Sequence, residues 1–334
     1  MLDLQLFKDI LGFDSTSGSE RLLSEHLLRT LKAEKVQSWE LEDGTQNLLF
    51  SWGTPRVVFC THMDTVPPYI APRIEGDRIW GRGSCDAKGQ ILALYTACKQ
   101  LESEGCSDFG LLLVSGEETG SWGAKAFAKT DFRAPFLIIG EPTENRMVSA
   151  SKGTKSFKLY FSGEPFHSGY PQFGHSAIDY FGDFLNAMRG LRFPEDPLLG
   201  DTTWNIGRLI SDNPQNILSP GLFCLLYFRT TFASDEAVAA LLPDWADNGT
   251  EPWQKVLSVQ AVGGDSPARY LTLEGFPSGP AAFGSDAPHL TNFEHRIICG
   301  PGSIRFAHRD DEHVDIPDLE AAVRQYVSFY KALI

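Results

Sequence analysis

Short apolar runs alternate with amphipathic segments through the first half of the chain, and this alternation restricts the folds open to it. The runs PRVVFC, GLLLVSG and FLIIGEP have the length of strands, and the segments between them carry apolar residues at helical spacing. Strands and helices that alternate at this interval are typical of βαβ units, in which helices cover both faces of a parallel sheet. We therefore expect an α/β domain with a mostly parallel central sheet covered by helices.

The pattern changes after Lys152. Six segments follow in order: TKSFKLYFSG, GHSAIDYFGDFLNAMRGL, TTWNIGRLIS, LFCLLYFRTT, SDEAVAALLPDWA and KVLSVQAVGG. Their periodicities predict the order strand, helix, strand, strand, helix, strand, which is typical of a compact α+β unit of the ferredoxin-like kind. We expect this βαββαβ unit to be an inserted domain at 153–264, while 1–152 and 265–334 together form the α/β domain.

An amphipathic segment near the N-terminus, SERLLSEHLLRTLKAE, predicts a covering helix. Its leucines recur at helical spacing: Leu22, Leu23, Leu27, Leu28 and Leu31. Ser19 stands where a serine would cap the N-terminus of such a helix, because its side-chain oxygen can accept a backbone N–H of the first turn.

Acidic residues outnumber basic ones, which bears on the partners of the chain. There are 43 Asp and Glu against 29 Lys and Arg, a formal net charge of −14. Nucleic-acid binding depends on basic side chains that neutralise phosphates, so a nucleic-acid partner is not expected. The longest apolar runs fall far short of the roughly 20 residues of a membrane span, and the N-terminus lacks the basic region and long apolar core of a secretory signal. We expect a cytoplasmic protein that does not bind membranes.

The cysteines follow no pattern of ligands. Six of them, at positions 60, 85, 98, 106, 224 and 299, are scattered without a CxxC motif, and several lie inside apolar runs. This distribution favours reduced, mostly buried thiols over disulfides or thiolate metal sites.

Acidic residues and a histidine follow the apolar runs of the α/β half. His62 and Asp64 follow PRVVFC, Glu117 and Glu118 follow GLLLVSG, Glu141 follows FLIIG, and Asp86 precedes the helical segment AKGQILALYTA. Taken singly, an acidic residue after a strand is usually a cap or a solvated charge. In an open α/β sheet, however, ligands collect at the carboxyl ends of the strands, so these loops face one crevice. A histidine with several carboxylates and no cysteine suits a divalent metal, zinc first and also cobalt or manganese.

The last part of the chain offers four further histidines, and their spacing does not select among them. They are His289, His295, His308 and His313. A lone histidine is more often a satisfied polar residue than a ligand.

Several motifs together resemble those of a known family. HMDTVP, GRGSCDAKGQ, SGEETGSWGA, IGEPTEN and GPGSIRFAHRDDEHVDI occur in this order. They resemble the ordered motifs of the co-catalytic zinc aminoacylase and carboxypeptidase family, and the resemblance covers nearly the whole chain. It implies that the inserted domain is a lid or dimerisation domain and that the chain forms a homodimer through it.

The resemblance also implies roles for individual residues of the α/β domain. His62 and Glu141 would bind one zinc ion, Glu118 and His308 the other, and Asp86 would bridge the two. Asp64 would accept the N–H of His62 and orient it. Glu117 would be the general base. His313 is the alternative to His308 as the last ligand.

Further roles concern the inserted domain and a loop near the end of the chain. By resemblance, His167 would polarise the scissile carbonyl, while Asn216 and Arg229 would hold the amide and the carboxylate of the substrate. Arginine suits a carboxylate because its planar fork can donate two parallel hydrogen bonds. The loop residues Gly284, Ser285 and Asp286 are weaker candidates for substrate contact.

The function expected from this resemblance is hydrolysis of an amide bond in a small molecule. Among members of the family, the chain most resembles acetylornithine deacetylase, which implies removal of an acetyl or succinyl group from N-acetylornithine or a related intermediate of arginine biosynthesis. The alternatives are succinyl-diaminopimelate desuccinylase and a dipeptidase or carboxypeptidase. A binding or scaffold protein without chemistry is disfavoured because the proposed base, Glu117, is present. GRGSCDAKG lacks the spacing of a phosphate-binding loop.

Overall fold

The computed structural model describes residues 2–334, which form two compact units. Unit 1 comprises the residues up to Ser149 together with Tyr270–Gly279 and Ser285–Ile334, and unit 2 comprises Ala150–Arg269 and Pro280–Gly284. The insertion predicted at 153–264 lies inside the longer stretch of unit 2. Its role as a lid or dimerisation domain stays a prediction.

The secondary structure consists of strands β1–β16, helices α1–α8 and one short 3-10 helix, Pro171–Phe173. In chain order the strands are β1 Lys35–Glu40, β2 Gln46–Trp52, β3 Val57–His62, β4 Arg73–Glu75, β5 Arg78–Trp80, β6 Phe109–Val114, β7 Ala134–Ile139, β8 Met147–Ser151, β9 Gly153–Ser162, β10 Thr203–Ile210, β11 Gly221–Thr230, β12 Leu257–Gly263, β13 Ala268–Arg269, β14 Ser278–Ala281, β15 Phe293–Ile298 and β16 His313–Asp315. The helices are α1 Leu4–Leu11, α2 Arg21–Thr30, α3 Lys88–Ser103, α4 Trp122–Ala128, α5 Ala177–Gly190, α6 Asp235–Asn248, α7 Pro252–Lys255 and α8 Ile316–Leu333.

The central sheet of unit 1 has six strands in the order β1-β2-β6-β3-β7-β15. Strands β6, β3, β7 and β15 run parallel to one another, whereas β1 and β2 complete one edge in antiparallel pairing. Every residue of β3 and β6 is buried, because helices cover these apolar strands. Helix α3 packs on β3 and β6 and against α1 and α8, while α2 and α4 pack on β2. The expected mostly parallel sheet under helices is confirmed.

Aromatic side chains join the C-terminal helix to the sheet. The rings of Trp52 and Phe109 are stacked with centroids 4.9 Å apart, and Tyr330 of α8 meets Phe109 edge-on at 5.6 Å. Trp52 and Phe109 have no exposed surface. Burying an aromatic side chain of this size contributes roughly 1.5 to 3 kcal/mol, so α8 is an integral part of the core although it is the last element of the chain.

Helix α2 differs from its prediction at its first turn. The helix begins at Arg21 with Glu20 at the N-cap position, so the prediction that Ser19 caps it is wrong. Glu20 is fully buried and accepts the backbone N–H of Gly116 at 3.1 Å, whereas Leu22 is 64% exposed. This hydrogen bond turns Glu20 inward, and Leu22 therefore faces away from the core.

Unit 2 contains a four-stranded antiparallel sheet in the order β12-β9-β11-β10, with α5 and α6 packed against it and the short α7 packed on these two helices. The element order is the expected βαββαβ of a ferredoxin-like unit, with the short α7 added before the last strand. Its core is rich in aromatic rings: Phe184 of α5 lies 5.3 Å from Phe161 and 5.7 Å from Trp253. The alternating burial along β11 shows that one face of this sheet carries the core.

All six cysteines carry free thiols, and all except Cys106 are buried. Burial raises the pKa of the Cys224 and Cys299 thiols to about 12, so these groups stay protonated near neutral pH. The predicted burial of most thiols is confirmed.

Across residues 2–334, no helix combines the length and the apolar character that a membrane crossing requires.

Candidate metal centre

The parallel strands of unit 1 bring several polar side chains to one edge of the sheet. Strand β3 lies between β6 and β7 and runs parallel to both. His62 is the last residue of β3, Glu117 and Glu118 follow β6, and Glu141 follows β7. Because parallel strands end at the same edge, the loops after them meet there.

The predicted ligands form two groups that share Asp86. One group is His62, Asp86 and Glu141, and the other is Asp86, Glu118 and His308; within each group the potential ligand atoms lie within 4.8 Å of one another. Asp86 Oδ1 is 3.0 Å from His62 Nε2, while its Oδ2 is 3.4 Å from His308 Nε2. His308 Nε2 also lies 2.8 Å from Glu118 Oε1. Asp86 therefore faces both groups with different oxygens.

Asp64 lies behind His62 and ties it to the loop after β6. His62 Nδ1 is 3.0 Å from the backbone oxygen of Asp64 and 3.3 Å from its carboxylate, so the backbone oxygen is the nearer acceptor. The same carboxylate accepts the backbone N–H groups of Glu117 and Glu118, each at 3.0 Å, and the hydroxyl of Ser17 at 2.7 Å. Asp64 thus orients the imidazole and also holds the two glutamates beside it.

The electrostatics of the cluster favour cations. Burial raises the pKa of Glu117 and Glu141 well above its usual range; the charge of His62 opposes this, and neighbouring carboxylates add to it. Burial alone would also raise the pKa of Asp86, but its hydrogen bonds with His308 and His62 lower it. Four carboxylates lie close together in the cluster: Asp86, Glu117, Glu118 and Glu141. They repel each other unless a positive charge lies among them. Imidazole and carboxylate donors in this arrangement fit a pair of divalent metal ions.

The structure distinguishes His308 from the other late histidines. His308 has a left-handed backbone, φ 64°, and reaches the second ligand group. His313 instead bonds through Nδ1 to the backbone oxygen of Asp311 at 2.7 Å, with its ring between Trp80 and Phe306. His295 stacks on Phe136, and the backbone N–H of His289 donates to Asp286. Among the residues that the structure describes, only His308 of these four belongs to a ligand group.

Two of the weaker candidates are buried in unit 1. Ser285 is 6% exposed, and its hydroxyl oxygen accepts the backbone N–H of Ala287 at 3.3 Å. Asp286 is 2% exposed, and its Oδ1 has no hydrogen-bond partner. Burial raises the pKa of Asp286 to about 6, and its charge acts on Glu117. Asp286 therefore adds to the negative potential of the cluster, while contact between Ser285 and substrate stays a prediction.

The other substrate-binding candidates, and Gly284, belong to unit 2. His167 is exposed, and its Nδ1 accepts the backbone N–H of Gly169 at 3.0 Å. Asn216 lies on the adjacent loop, where its backbone oxygen accepts the N–H of Ser168 at 2.9 Å. Arg229 is on β11, with its guanidinium 5.1 Å from the centroid of Tyr227. The catalytic or binding roles of these residues stay predictions.

Sequence reasoning missed the buried polar residues that support the cluster. Glu312 and Arg82 are each 1% exposed and form an ion pair. Ser17 bonds Asp64, and Glu20 bonds the backbone next to Glu117. No sequence signal marks these residues. Glu312, for example, lies in the acidic stretch HRDDEH and resembles a solvated charge there.

Comparison with known proteins identifies the family. The sequence matches the family described as peptidase family M20/M25/M40 over residues 58–332. It is 34% identical to a peptidase M20 domain-containing protein of Schizosaccharomyces pombe, covering 97% of this chain and 82% of that protein. It is 31% identical to a protein named probable carboxypeptidase from Aspergillus oryzae, covering 99% of this chain and 87% of the relative.

Solved structures agree in fold. A tripeptidase from Staphylococcus aureus superposes with a TM-score of 0.80 at 18% identity, covering 100% of this chain and 99% of that one. An M20 family metallo-carboxypeptidase from Sulfolobus solfataricus gives a TM-score of 0.75 at 17% identity, with 99% and 98% covered. A dinuclear metal binding peptidase of the M20 family from Bacillus subtilis gives 0.70 at 12% identity, with 99% and 96% covered. Together with the sequence match, these findings show that the chain belongs to the peptidase family M20/M25/M40 and is a metallopeptidase-family hydrolase of amide bonds.

Proposed function

We propose that the chain is a two-metal carboxypeptidase or dipeptidase that hydrolyses the last peptide bond of short peptides. The observation that carries this proposal is the pair of ligand groups that share Asp86, with Glu117 beside them. The relatives named carboxypeptidase and the structurally similar tripeptidase support a peptide substrate.

In this proposal His62 and Glu141 would hold one ion, Glu118 and His308 would hold the other, and Asp86 belongs to both ligand groups. Zinc suits these donors, and cobalt or manganese can take the same ligands. When bound, a pair of divalent ions supplies Lewis-acid chemistry that activates water and polarises a carbonyl. Asp64 keeps His62 in the orientation in which Nε2 faces the site, because Nδ1 is engaged by Asp64.

Glu117 is the proposed proton carrier. Its backbone N–H is fixed by Asp64, and its side chain lies with His62 and Glu118 in a third group of closely spaced donors. During hydrolysis the water oxygen bonds to the carbonyl carbon and the C–N bond breaks. Glu117 takes one proton from the water and delivers it to the departing amine, so that a carboxylic acid and an amine result.

The substrate's free carboxylate needs a cationic partner, for which Arg229 is the candidate. Asn216 is the candidate for the amide, His167 for the scissile carbonyl, and Ser285 for a further substrate contact. An N-acyl amino acid presents the same amide next to the same free carboxylate. The motif GPGSIRFAHRDDEHVDI therefore keeps N-acetylornithine and related N-acyl amino acids as a second candidate substrate class.

The experiment is an assay of amine release by the zinc-loaded full chain. The panel contains dipeptides, tripeptides, the same peptides amidated at the C-terminus, N-acetylornithine, N-acetylcitrulline, N-succinylornithine and N-succinyl-diaminopimelate. We expect turnover of peptides with a free C-terminus, little turnover of the amidated ones, and strongly reduced turnover of all of them by Glu117→Gln. Preference for one N-acyl amino acid would replace the peptidase proposal with the deacylase. Turnover of amidated peptides would remove the proposed role of the terminal carboxylate.

Two expectations about the whole protein also stay predictions: a homodimer formed through unit 2, and a cytoplasmic location. Light scattering after size-exclusion chromatography measures the mass of the assembly, and a dimer has twice the 37.0 kDa mass of the chain.

A further inference from the structure

A buried carboxylate outside the ligand set holds the loop that carries Asp86. Glu312 lies four residues after His308 and is 1% exposed. Its Oε1 accepts three backbone N–H groups, from Gly83 at 2.9 Å, from Cys85 at 3.1 Å and from Asp86 at 3.1 Å. Three N–H groups that point at one oxygen create a positive electrostatic potential, which favours a negatively charged acceptor at this position.

The second oxygen of Glu312 is also engaged. Its Oε2 accepts from Arg82 Nη1 at 2.5 Å, and Arg82 is itself 1% exposed. Arg82 additionally donates to the backbone oxygens of Pro68 and Arg309. The backbone oxygen of Glu312 accepts the N–H of Gly81 at 3.0 Å. The buried pair is thus hydrogen-bonded on both sides, the condition under which such a pair is tolerated in a protein interior.

We propose that Glu312 is a positioning residue that fixes the backbone of Asp86 and thereby the place of its carboxylate between the two ligand groups. This inference rests on the proposed two-metal function. Glu312 belongs to the same segment as His308, and it is bonded to the backbone N–H of Asp86. The side chain of Glu312 therefore connects the loop that carries Asp86, the ligand shared by both groups, to the segment that carries His308.

The geometry predicts that glutamine cannot replace Glu312. Glutamine has one oxygen and one NH2 group, so it can face either the three backbone N–H groups or Arg82 with an acceptor, but not both. In one orientation the NH2 group of glutamine faces Arg82, and in the other it faces the three backbone N–H groups. In both orientations, donors face donors. Aspartate keeps the charge but is one methylene shorter, so it cannot reach all four donors.

The test measures zinc affinity, which does not depend on turnover. The metal-free full chain is titrated with zinc ions against a chromophoric chelator, for wild type, Glu312→Gln and Glu312→Asp. The matched control is Asp315→Asn, which breaks the half-exposed pair of Asp315 with Arg78 on the neighbouring strands β16 and β5. We expect Glu312→Gln to lose about 10- to 100-fold in zinc affinity, Glu312→Asp to lose less, and Asp315→Asn to stay within about twofold. A merely structural role would lower the unfolding midpoint of Glu312→Gln but leave the zinc affinity of the folded protein unchanged, and this result would overturn the proposal.

A second measurement on the wild-type chain applies even if Glu312→Gln does not fold. Residue-resolved hydrogen exchange of the metal-free protein should show slow exchange at the amides of Gly83, Cys85 and Asp86. Rapid exchange at all three would contradict the proposal. Failure of the wild type to bind zinc would instead refute the proposed function, while slow exchange of these amides would still show the loop to be held.

Discussion

The carboxylate of Asp64 lies 3.3 Å from Nδ1 of His62 and accepts, on its two oxygens, the backbone N–H groups that lead into Glu117 and Glu118. Asp64 and His62 are both almost wholly buried. Asp64 therefore orients a ligand on β3, through its backbone oxygen and its carboxylate, and fixes the loop after β6, so it joins two parts of the proposed centre that are far apart in the sequence.

Replacing Asp64 by Asn should weaken both functions of this side chain. Asn has a single acceptor oxygen, so it cannot serve Glu117, Glu118 and Ser17 together. We expect zinc affinity and kcat/KM to fall by about 10- to 100-fold, measured by chelator competition and by amine release. Ser17→Ala removes only one of the bonds to Asp64 and should cost less than tenfold. Equal effects of the two variants would contradict this account.

Glu117→Gln should separate metal binding from chemistry. Because Glu117 is proposed to move a proton, and not to hold an ion in the pair of groups around Asp86, the variant should keep its zinc content while kcat falls by roughly 10²- to 10⁴-fold. Zinc content is measured by elemental analysis and kcat with the best substrate of the panel. The exposed Glu294→Gln on β15 is the matched control and should change neither quantity. Loss of zinc from Glu117→Gln would make Glu117 a ligand.

Glu20 should make stability depend on pH. Burial, with a smaller contribution from the charge of Asp64, raises the pKa of Glu20 from 4.5 to about 7 in the folded chain. Between these values the folded state binds the proton and the unfolded state does not, so this group's contribution to stability is present below pH 4.5 and is lost as pH rises through 7. Relative to wild type, Glu20→Gln should gain on the order of 2 to 3 kcal/mol between pH 4.5 and pH 8.

The measurement is denaturant unfolding of the metal-free protein at a series of pH values. Glu25→Gln, on the exposed side of the same helix, is the control and should show a difference from wild type below about 1 kcal/mol at every pH. A flat difference for Glu20→Gln would mean that Glu20 is ionised in the folded chain.

The core of unit 2 provides a stability prediction that leaves the ligands intact. Phe184 is fully buried among Phe161, Phe181, Trp245 and Trp253. Phe184→Ala should cost about 3 to 5 kcal/mol in the unfolding of unit 2, and Phe184→Leu should cost less. Zinc content should stay at the wild-type value, because all proposed ligands belong to unit 1. Zinc loss from Phe184→Ala, with unit 1 still folded by circular dichroism and hydrogen exchange, would contradict this separation.

Much of the fold could be predicted because its strands are written in the sequence as continuous apolar runs. β3 and β6 are buried throughout and β7 is buried over most of its length, and their runs are therefore nearly free of polar residues. β1 could not be recognised in this way, because it is an edge strand with a largely exposed surface, and its antiparallel pairing with β2 followed from no pattern. At α2, the hydrogen bond from Gly116 to Glu20 decided which residue faces inward, and such a contact between distant residues leaves no periodic trace.

The ligand cluster was predictable in part for a different reason. His62, Glu118 and Glu141 could be found from the residues themselves, because each follows an apolar run and parallel strands end together. His308 could be selected only through the resemblance to a family, since spacing does not distinguish among the four late histidines. Glu312 could not be found at all, because its function depends on three backbone N–H groups of a loop more than 200 residues earlier in the chain.

The most direct test of the central claim is the number of zinc ions that one chain binds. Equilibrium dialysis followed by elemental analysis should give two ions per chain for wild type and one for His308→Ala, because Asp86, His62 and Glu141 remain as one complete group when His308 is removed. A wild-type chain that binds one ion or none, or a His308→Ala variant that still binds two with wild-type affinity, would contradict the two groups around Asp86 as the metal centre.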